Sequence, residues 1–179
     1  QLNPRESWHI AGTVSGSISD HGNLPNVSPG RYSLQWNTNP PWYIDSITRD
    51  STDLLVQDLA VSASGEQSPI RFLLRDDGAI LKPQLQSSLD EGQFATMLLV
   101  PDGAPPTAIR EYQIPWRGEA YLPPLKPGSY TLLAFEDVSN LEYTAPEALA
   151  PYLSRGAHVT LTAEQTTNVQ LDLIRRSEP

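Results

Sequence analysis

The chain has 179 residues, which is enough for one large domain or for two of about 90 residues that each bury a modest core. Charged residues make up 18% of it and apolar residues 39%, a balance that excludes a disordered chain. The net charge is −9 and the only lysines are Lys82 and Lys126, so no basic stripe exists to contact nucleic-acid phosphates. No apolar run approaches the roughly 20 residues that span a bilayer. Cysteine is absent, which excludes disulfides, cysteine zinc sites and cysteine nucleophiles.

Short strands are predicted along the whole chain. The first is long and contains glycines, and its apolar residues share one parity: Trp8, Ile10, Val14 and Ile18. Alternating apolar residues predict three further strands, at Tyr32/Leu34/Trp36, Ile70/Phe72/Leu74 and Tyr130/Leu132/Ala134. Residues 94–100 are a continuous apolar run, which fits a strand buried on both faces. The last strand alternates at Val169, Leu171 and Leu173. Many short strands separated by turn signals favour a β-sandwich.

Only one helix is predicted, near residues 146–154. Thr144 and Glu147 have the spacing of a capping box, Pro146 falls in the first turn, and Gly156 follows the end. Pro151 lies inside this segment and is expected to kink or shorten the helix.

The chain also contains an internal repeat. Residues 27–34 (VSPGRYSL) resemble residues 125–132 (LKPGSYTL) at an offset of 98. The same offset relates Val61…Glu66-Gln67 to Val159…Glu164-Gln165, and the closing strands match one residue later. In both copies a Pro-Gly turn precedes the strand. The sequence therefore predicts two tandem copies of one β-sandwich module, residues 1–75 and residues 76–179.

The repeated segments also resemble a known family. Pro127–Asp137 (PGSYTLLAFED) resembles the PGxYxLxAxED stretch of carboxypeptidase regulatory-like, transthyretin-related repeats, as do Ala145–Leu149 and Arg155-Gly156 after it. In the first half, Pro29–Tyr32 and Trp42–Ile47 resemble the same pattern. Such repeats occur in surface proteins of acidobacteria, and the related Cna-B-type modules share the sandwich. The resemblance implies a secreted or cell-surface protein of a bacterium that serves as a stalk, spacer, accessory or assembly module, and it implies no activity by itself.

Residues that could carry chemistry are few. His9, His21 and His158 are far apart and lack the spacing of metal ligands. Three acidic pairs precede turns or loops: Asp76-Asp77-Gly78, Asp90-Glu91-Gly92 and Glu136-Asp137. Paired carboxylates can hydrolyse glycosides or bind calcium. We interpret Asp76-Asp77-Gly78 and Asp90-Glu91-Gly92 mainly as hairpin corners, in which Asp bonds its own backbone and Gly takes a positive φ. We therefore expect no catalytic residue, no metal site and no cofactor, with calcium as the alternative.

Aromatic residues suggest a second possible function, sugar binding, because flat rings stack on sugars. The candidate binding residues are Trp36, Trp42, Tyr43 and Trp116. Trp36 continues the inward parity of its strand, so we favour a core or interface role for these rings over a glycan-binding platform.

The Cna-B relatives imply one more chemistry, an isopeptide bond between a lysine and an asparagine. Lys82 lies where such a lysine would be, in the first strand of the second module. Asn168 opens the last strand instead of closing it, and the first module contains no lysine, so we do not expect the bond.

The two modules differ in what precedes the Pro-Gly turn. Only 28 residues precede Pro29, against roughly 50 in the second copy. Since the chain starts at Gln1 and not at methionine, we expect a processed product or a piece of a longer chain. Alternatively, a neighbouring polypeptide adds a strand to the incomplete first module, at an edge formed by Trp8, Ile10, Val14 and Ile18.

The sequence thus predicts an all-β protein of two transthyretin-like or Cna-B-like sandwich modules with one short helix. We expect no enzyme but a structural or adhesive module of an extracellular assembly, with a filament subunit joined by strand addition as one form. The alternative is a carbohydrate-binding accessory module of a larger secreted protein. The expected partners are other copies of the chain, further modules or glycans; we expect no nucleic acid and no segment that spans a membrane.

Overall fold

A computed structural model describes residues 2–4, 27–34, 38, 40–63, 68–117 and 120–175. Strands make up 47% and helices 7% of the structure, so the predicted all-β class is confirmed at that level. The chain divides into two compact units. One comprises Gln1–Thr38 and Ile44–Leu73, and the other comprises Asn39–Tyr43 and Leu74–Pro179.

The first unit has two small sheets. Its strands are β1 (Leu2–Pro4), β2 (Gly30–Leu34), β3 (Tyr43–Arg49), β4 (Thr52–Asp53), β5 (Leu59–Val61) and β6 (Ile70–Arg75), of which β3 and β6 begin or end in segments of the second unit. The sheet orders are β1-β2-β5 and β4-β3-β6. Residues from both sheets form the core, because alternating strands turn their apolar side chains to one face. The buried members are Tyr32, Ile47, Leu54 and Leu59.

The second unit is larger. Its elements are β7 (Ile80–Leu85), β8 (Phe94–Pro101), β9 (Arg110–Pro115), β10 (Gly128–Phe135), α1 (Pro146–Leu153), β11 (Ala157–Leu161), β12 (Thr166–Leu171) and β13 (Leu173–Ile174). One sheet has the order β11-β10-β8-β9, with β13 parallel to the end of β10. The other sheet is the parallel pair β7-β12.

Strands β8 and β10 are buried on both faces. On one face, Met97 and Leu132 pack in a cluster that includes Leu81 of β7 and Leu171 of β12. On the other face a second cluster joins these two strands to α1, to the loop before it and to β13. Its buried members are Leu98, Leu133, Phe135, Leu141, Leu149 and Ile174. The prediction of two-faced burial for residues 94–100 is confirmed for 95–99, whereas Phe94 is 56% exposed.

The connection after the strand that follows the Pro-Gly turn (β2 in the first unit and β10 in the second, called here the Pro-Gly strand) differs between the units, and the sequence explains the difference. In the second unit it contains α1, and in the first it contains β3 and β4. The face of β10 beneath α1 carries Thr131, Leu133 and Phe135. The matching positions of the first copy are Ser33, Gln35 and Asn37, which are polar. The helix covers β10, which has apolar residues on both faces, because removing apolar surface from water is favourable.

The single α-helix of the described residues lies where it was predicted, but the capping box predicted for its start was wrong. The N-cap is Ala145, which makes no side-chain capping bond, so Thr144 and Glu147 form no capping box. Pro146 occupies the first turn, where a missing N–H costs nothing. The helix ends two residues after Pro151, whose ring removes a backbone donor from the last turn.

Both units contain the same tyrosine contact. The Tyr32 hydroxyl donates to the carbonyl of Ser28 at 2.8 Å, and the Tyr130 hydroxyl donates to the carbonyl of Lys126 at 2.7 Å. Each tyrosine is buried and reaches back across its Pro-Gly turn, four residues upstream. The bond fixes the turn against the strand, as a tyrosine corner does in immunoglobulin-type sandwiches.

Strand registers repeat as well. Tyr32 is paired with Pro4 of β1 and Leu59 of β5. Tyr130 is paired with Pro101 of β8 and Val159 of β11. Therefore β1, β2 and β5 correspond to the end of β8, to β10 and to β11. The pairing also shows that Leu59, and not Val61, is the counterpart of Val159.

We expect Tyr130→Phe to lower the free energy of unfolding of the second unit by about 1 kcal/mol, because a part-buried carbonyl loses its donor. Tyr32→Phe should cost the first unit a similar amount. Denaturant unfolding of each variant measures the loss. Tyr121→Phe, at a hydroxyl on a side chain that is 82% exposed, is the control and should change little. A null effect at Tyr130 would show that the turn does not depend on this bond.

Candidate functional site

The four aromatic candidates lie in different environments. Trp36 lies outside the described residues. Trp42 is 45% exposed, while its neighbour Tyr43 is 5% exposed, since consecutive residues of an extended segment point to opposite sides. Trp116 is half-buried and packs against the larger core cluster of the second unit. The Arg117 guanidinium lies 4.8 Å from the centre of its ring, in a cation–π contact. Of the three described rings, only Trp42 presents a large surface to solvent.

Tyr43 belongs to a polar cluster that sequence reasoning missed. Its hydroxyl donates to Asp77 Oδ1 at 3.0 Å. Arg75 donates to both oxygens of the same carboxylate, through Nε to Oδ1 at 3.0 Å and through its terminal nitrogen to Oδ2. The Arg75 hydrogen bonds lower the pKa of Asp77 to about 2, with the Tyr43 bond adding to the effect and partial desolvation opposing it.

The acidic pairs serve the local backbone in different ways. Gly92 has a φ of 84°, and the N–H of Gln93 donates to the carbonyl of Asp90, so the predicted turn is present, but it connects β7 to β8 in different sheets and is not a hairpin. Asp137 Oδ1 accepts from the N–H of Ser139 at 2.8 Å, as in an Asx turn.

The corner predicted at Asp76-Asp77-Gly78 was wrong. Gly78 does not have a positive φ, and it is needed for space, since a Cβ there would lie 2.7 Å from Pro124 Cβ. Among the described residues no group of three or more His, Asp or Glu side chains could hold a metal ion.

We expect the stability contribution of Asp77 to depend on pH. Its carboxyl pKa falls from 3.8 to about 2 on folding, so the contribution is complete above about pH 4 and is lost as the pH falls through 2. Unfolding of the wild type and of Asp77→Asn should be compared from pH 5 to pH 2, with exposed Asp76→Asn as the control. Their difference should shrink towards pH 2, and a difference that stays constant would contradict the contact.

His158 forms a hydrogen-bonded chain with Thr131 and Asp102. Thr131 Oγ1 lies 3.2 Å from Asp102 Oδ1 and 2.9 Å from His158 Nδ1. A carboxylate can only accept, so the threonine hydroxyl donates to Asp102 and accepts from His158. Nδ1 is therefore the protonated nitrogen, and the imidazole is held on the exposed side of β11. His9 and His21 lie outside the described residues.

The isopeptide candidates are adjacent, but they are exposed. The parallel pairing of β7 with β12 places Lys82 opposite Asn168, which is the third residue of its strand. Both side chains lie on the outer face of the pair. The two residues therefore lie next to each other at the surface and not in a buried site.

Strand edges are the remaining candidate for function. In the five-stranded sheet, β9 and β11 are the outermost strands, and each pairs on one side only within the described part of the chain. Unpaired N–H and C=O groups at such edges are templates for further strands. The predicted strand-addition residues Trp8, Ile10, Val14 and Ile18 all lie outside the described residues.

None of the helices in the described residues is long and apolar enough to cross a membrane. A scan against protein-family models found no match, and a comparison with curated proteins found no similar sequence.

Proposed function

We propose that the chain is a non-catalytic structural or adhesive module of a cell-surface or extracellular assembly. It consists of two tandem sandwich modules of the transthyretin-like or Cna-B-like type. The observation that supports this best is the repetition of one architecture: both units have a buried tyrosine bonded four residues back and the same register on both sides of the Pro-Gly strand. Tandem repeats of one unit are a common way to build stalks and spacers.

Strand addition is the proposed means of assembly. In the second unit β9 is an edge strand next to β8, and β1 of the first unit corresponds to the end of β8. We propose that a strand from another polypeptide pairs at this edge of the first unit, where the apolar set from Trp8 to Ile18 lies in sequence. A donated strand would satisfy the open backbone groups and cover apolar side chains.

The particle that the protein forms tests this proposal. Light scattering after size-exclusion chromatography, and negative-stain images of native material, should show oligomers or filaments. A stable monomer whose first unit resists proteolysis would contradict strand addition.

A carbohydrate-binding accessory module is the second candidate, and the 45% exposure of Trp42 favours it. A glycan array would detect saturable binding, which Trp42→Ala should abolish if the ring stacks on a sugar. Half-buried Trp116→Ala tests the other ring, and Tyr121→Ala is the control at an exposed aromatic residue. A hydrolase would require activity that one Asp→Asn change abolishes.

A further inference from the structure

We infer that β9 of one copy of the chain pairs with β11 of a second copy, so that the five-stranded sheet continues from molecule to molecule. The inference rests on the proposed assembly function and names its contact in the second unit. Residues Arg110–Pro115 and Ala157–Leu161 form the two edges.

The strand directions permit antiparallel pairing between these two edges. The pairs β9–β8, β8–β10 and β10–β11 are all antiparallel, so β9 and β11 run in opposite directions. A second copy placed at the edge of the sheet and turned by the sheet's own twist therefore presents β11 antiparallel to β9 of the first. Such a head-to-tail contact does not close on itself and can grow into a filament.

The faces of the two edges also match. Tyr112 and Ile114 of β9 point to the larger core cluster, as do Val159 and Leu161 of β11. Glu111, Gln113, His158 and Thr160 are exposed on the opposite face. One antiparallel register pairs all five residues of β11 with residues of β9. In this register the two residues of each pair point to the same face of the sheet. It places Tyr112 opposite Val159, an aromatic and β-branched pair of the kind that stabilises sheets.

On the other face the same register places exposed polar side chains opposite each other. Gln113 is opposite His158, and Glu111 is opposite Thr160 and diagonal to His158. The Asp102–Thr131–His158 chain holds the imidazole by Nδ1, which leaves Nε2 as the ring atom directed away from that bond. Within its own copy the Gln113 amide nitrogen donates to Thr96 Oγ1 and to Glu111 Oε1, each at 3.2 Å, so no hydrogen bond between Gln113 and His158 is part of the inferred contact.

Neither edge carries a lysine or a bulge, and the charged residues of β9 are confined to Arg110 and Glu111 at its start. Soluble proteins protect edges with lysine, proline or a bulge. Strand β7 has Lys82 and Pro83 in its middle. By contrast, β9 pairs with β8 over six consecutive residues without a bulge and has proline only at its end, and β11 has neither lysine nor proline.

Cysteine cross-linking tests the contact, because the chain has no cysteine of its own. Within one copy β9 and β11 are three strand spacings apart, about 14 Å, too far for a disulfide. The double variant Gln113→Cys/His158→Cys should therefore form a ladder of linked oligomers on oxidation. Each single variant should give no ladder. The control pair Gln84→Cys/His158→Cys, whose first residue is exposed on β7, should give none either.

A charge pair gives an independent readout by sedimentation equilibrium. Gln113→Lys/His158→Lys places like charges opposite each other, and Gln113→Glu/His158→Lys places opposite charges there. The first should associate about fivefold more weakly than the second. Circular dichroism of each variant confirms that it is folded.

Equal association of the two charge variants, or a ladder absent from the double cysteine variant, would overturn the inference. If native material still forms particles in that case, the assembly proposal stands and uses another contact. If native material is monomeric and binds a glycan, the assembly proposal fails as well.

Discussion

Phe135→Ala is expected to lower the free energy of unfolding of the second unit by about 3–5 kcal/mol, the range for removing a large buried aromatic side chain. Phe135 is 0% exposed and lies between β10 and the helical layer. Its ring meets that of Tyr152 edge-on, with centres 5.1 Å apart. Truncation would leave a cavity whose walls are held by Leu98 and Leu133. Denaturant unfolding monitored by tryptophan fluorescence and circular dichroism measures the loss.

Phe94→Ala is the matched control, because it removes the same side chain from a position that is 56% exposed. It should cost less than about 1 kcal/mol, since most of that surface is already in water. Similar losses in the two variants would mean that α1 does not cover β10 in solution.

The strands could be predicted from the sequence because alternation reports burial directly. Tyr130, Leu132 and Ala134 alternate inward, and the unbroken apolar run at 94–100 indicated a strand covered on both sides. The apolar residues Leu133 and Phe135, on the other face of β10, also indicated that this strand is covered on both faces. Periodicity does not report partners, so neither the parallel pairing of β7 with β12 nor that of β13 with β10 could be derived.

The candidate site was predicted less well, and the reasons are local. The residue types at Trp42 and Tyr43 gave no sign of which ring would be buried, because that depends on where the extended segment meets Gly78. The Tyr43–Asp77 bond joins residues 34 apart in sequence. A signal was available at Arg75 and Asp77, whose i, i+2 spacing along an extended chain brings opposite charges to one side. The edge strands could be located only once the strand order was known.

Gly156→Ala is expected to cost the second unit about 2–3 kcal/mol, in the range for overpacking a rigid site. A Cβ at this position would lie 2.5 Å from Thr131 Cγ2 and 3.1 Å from both the Leu132 carbonyl oxygen and Leu133 Cδ2. Sequence reasoning had assigned this glycine to the end of the helix, whereas the structure needs it for the close approach of the chain to β10. Gly103→Ala is the control: no atom lies within 4 Å of its added Cβ, and its φ of 70° should cost only about 1 kcal/mol.

A second substitution identifies the source of the loss at Gly156. Thr131→Ser removes the methyl group that the new Cβ would meet and keeps the hydroxyl that bonds Asp102 and His158. Thr131→Ser alone should destabilise slightly, because the side chain is buried. In the Gly156→Ala/Thr131→Ser variant the total loss should be smaller than the sum of the single losses, since the closest contact is relieved. Additive losses in this cycle would show that the backbone at Leu132, and not the Thr131 methyl group, is what excludes a side chain at position 156.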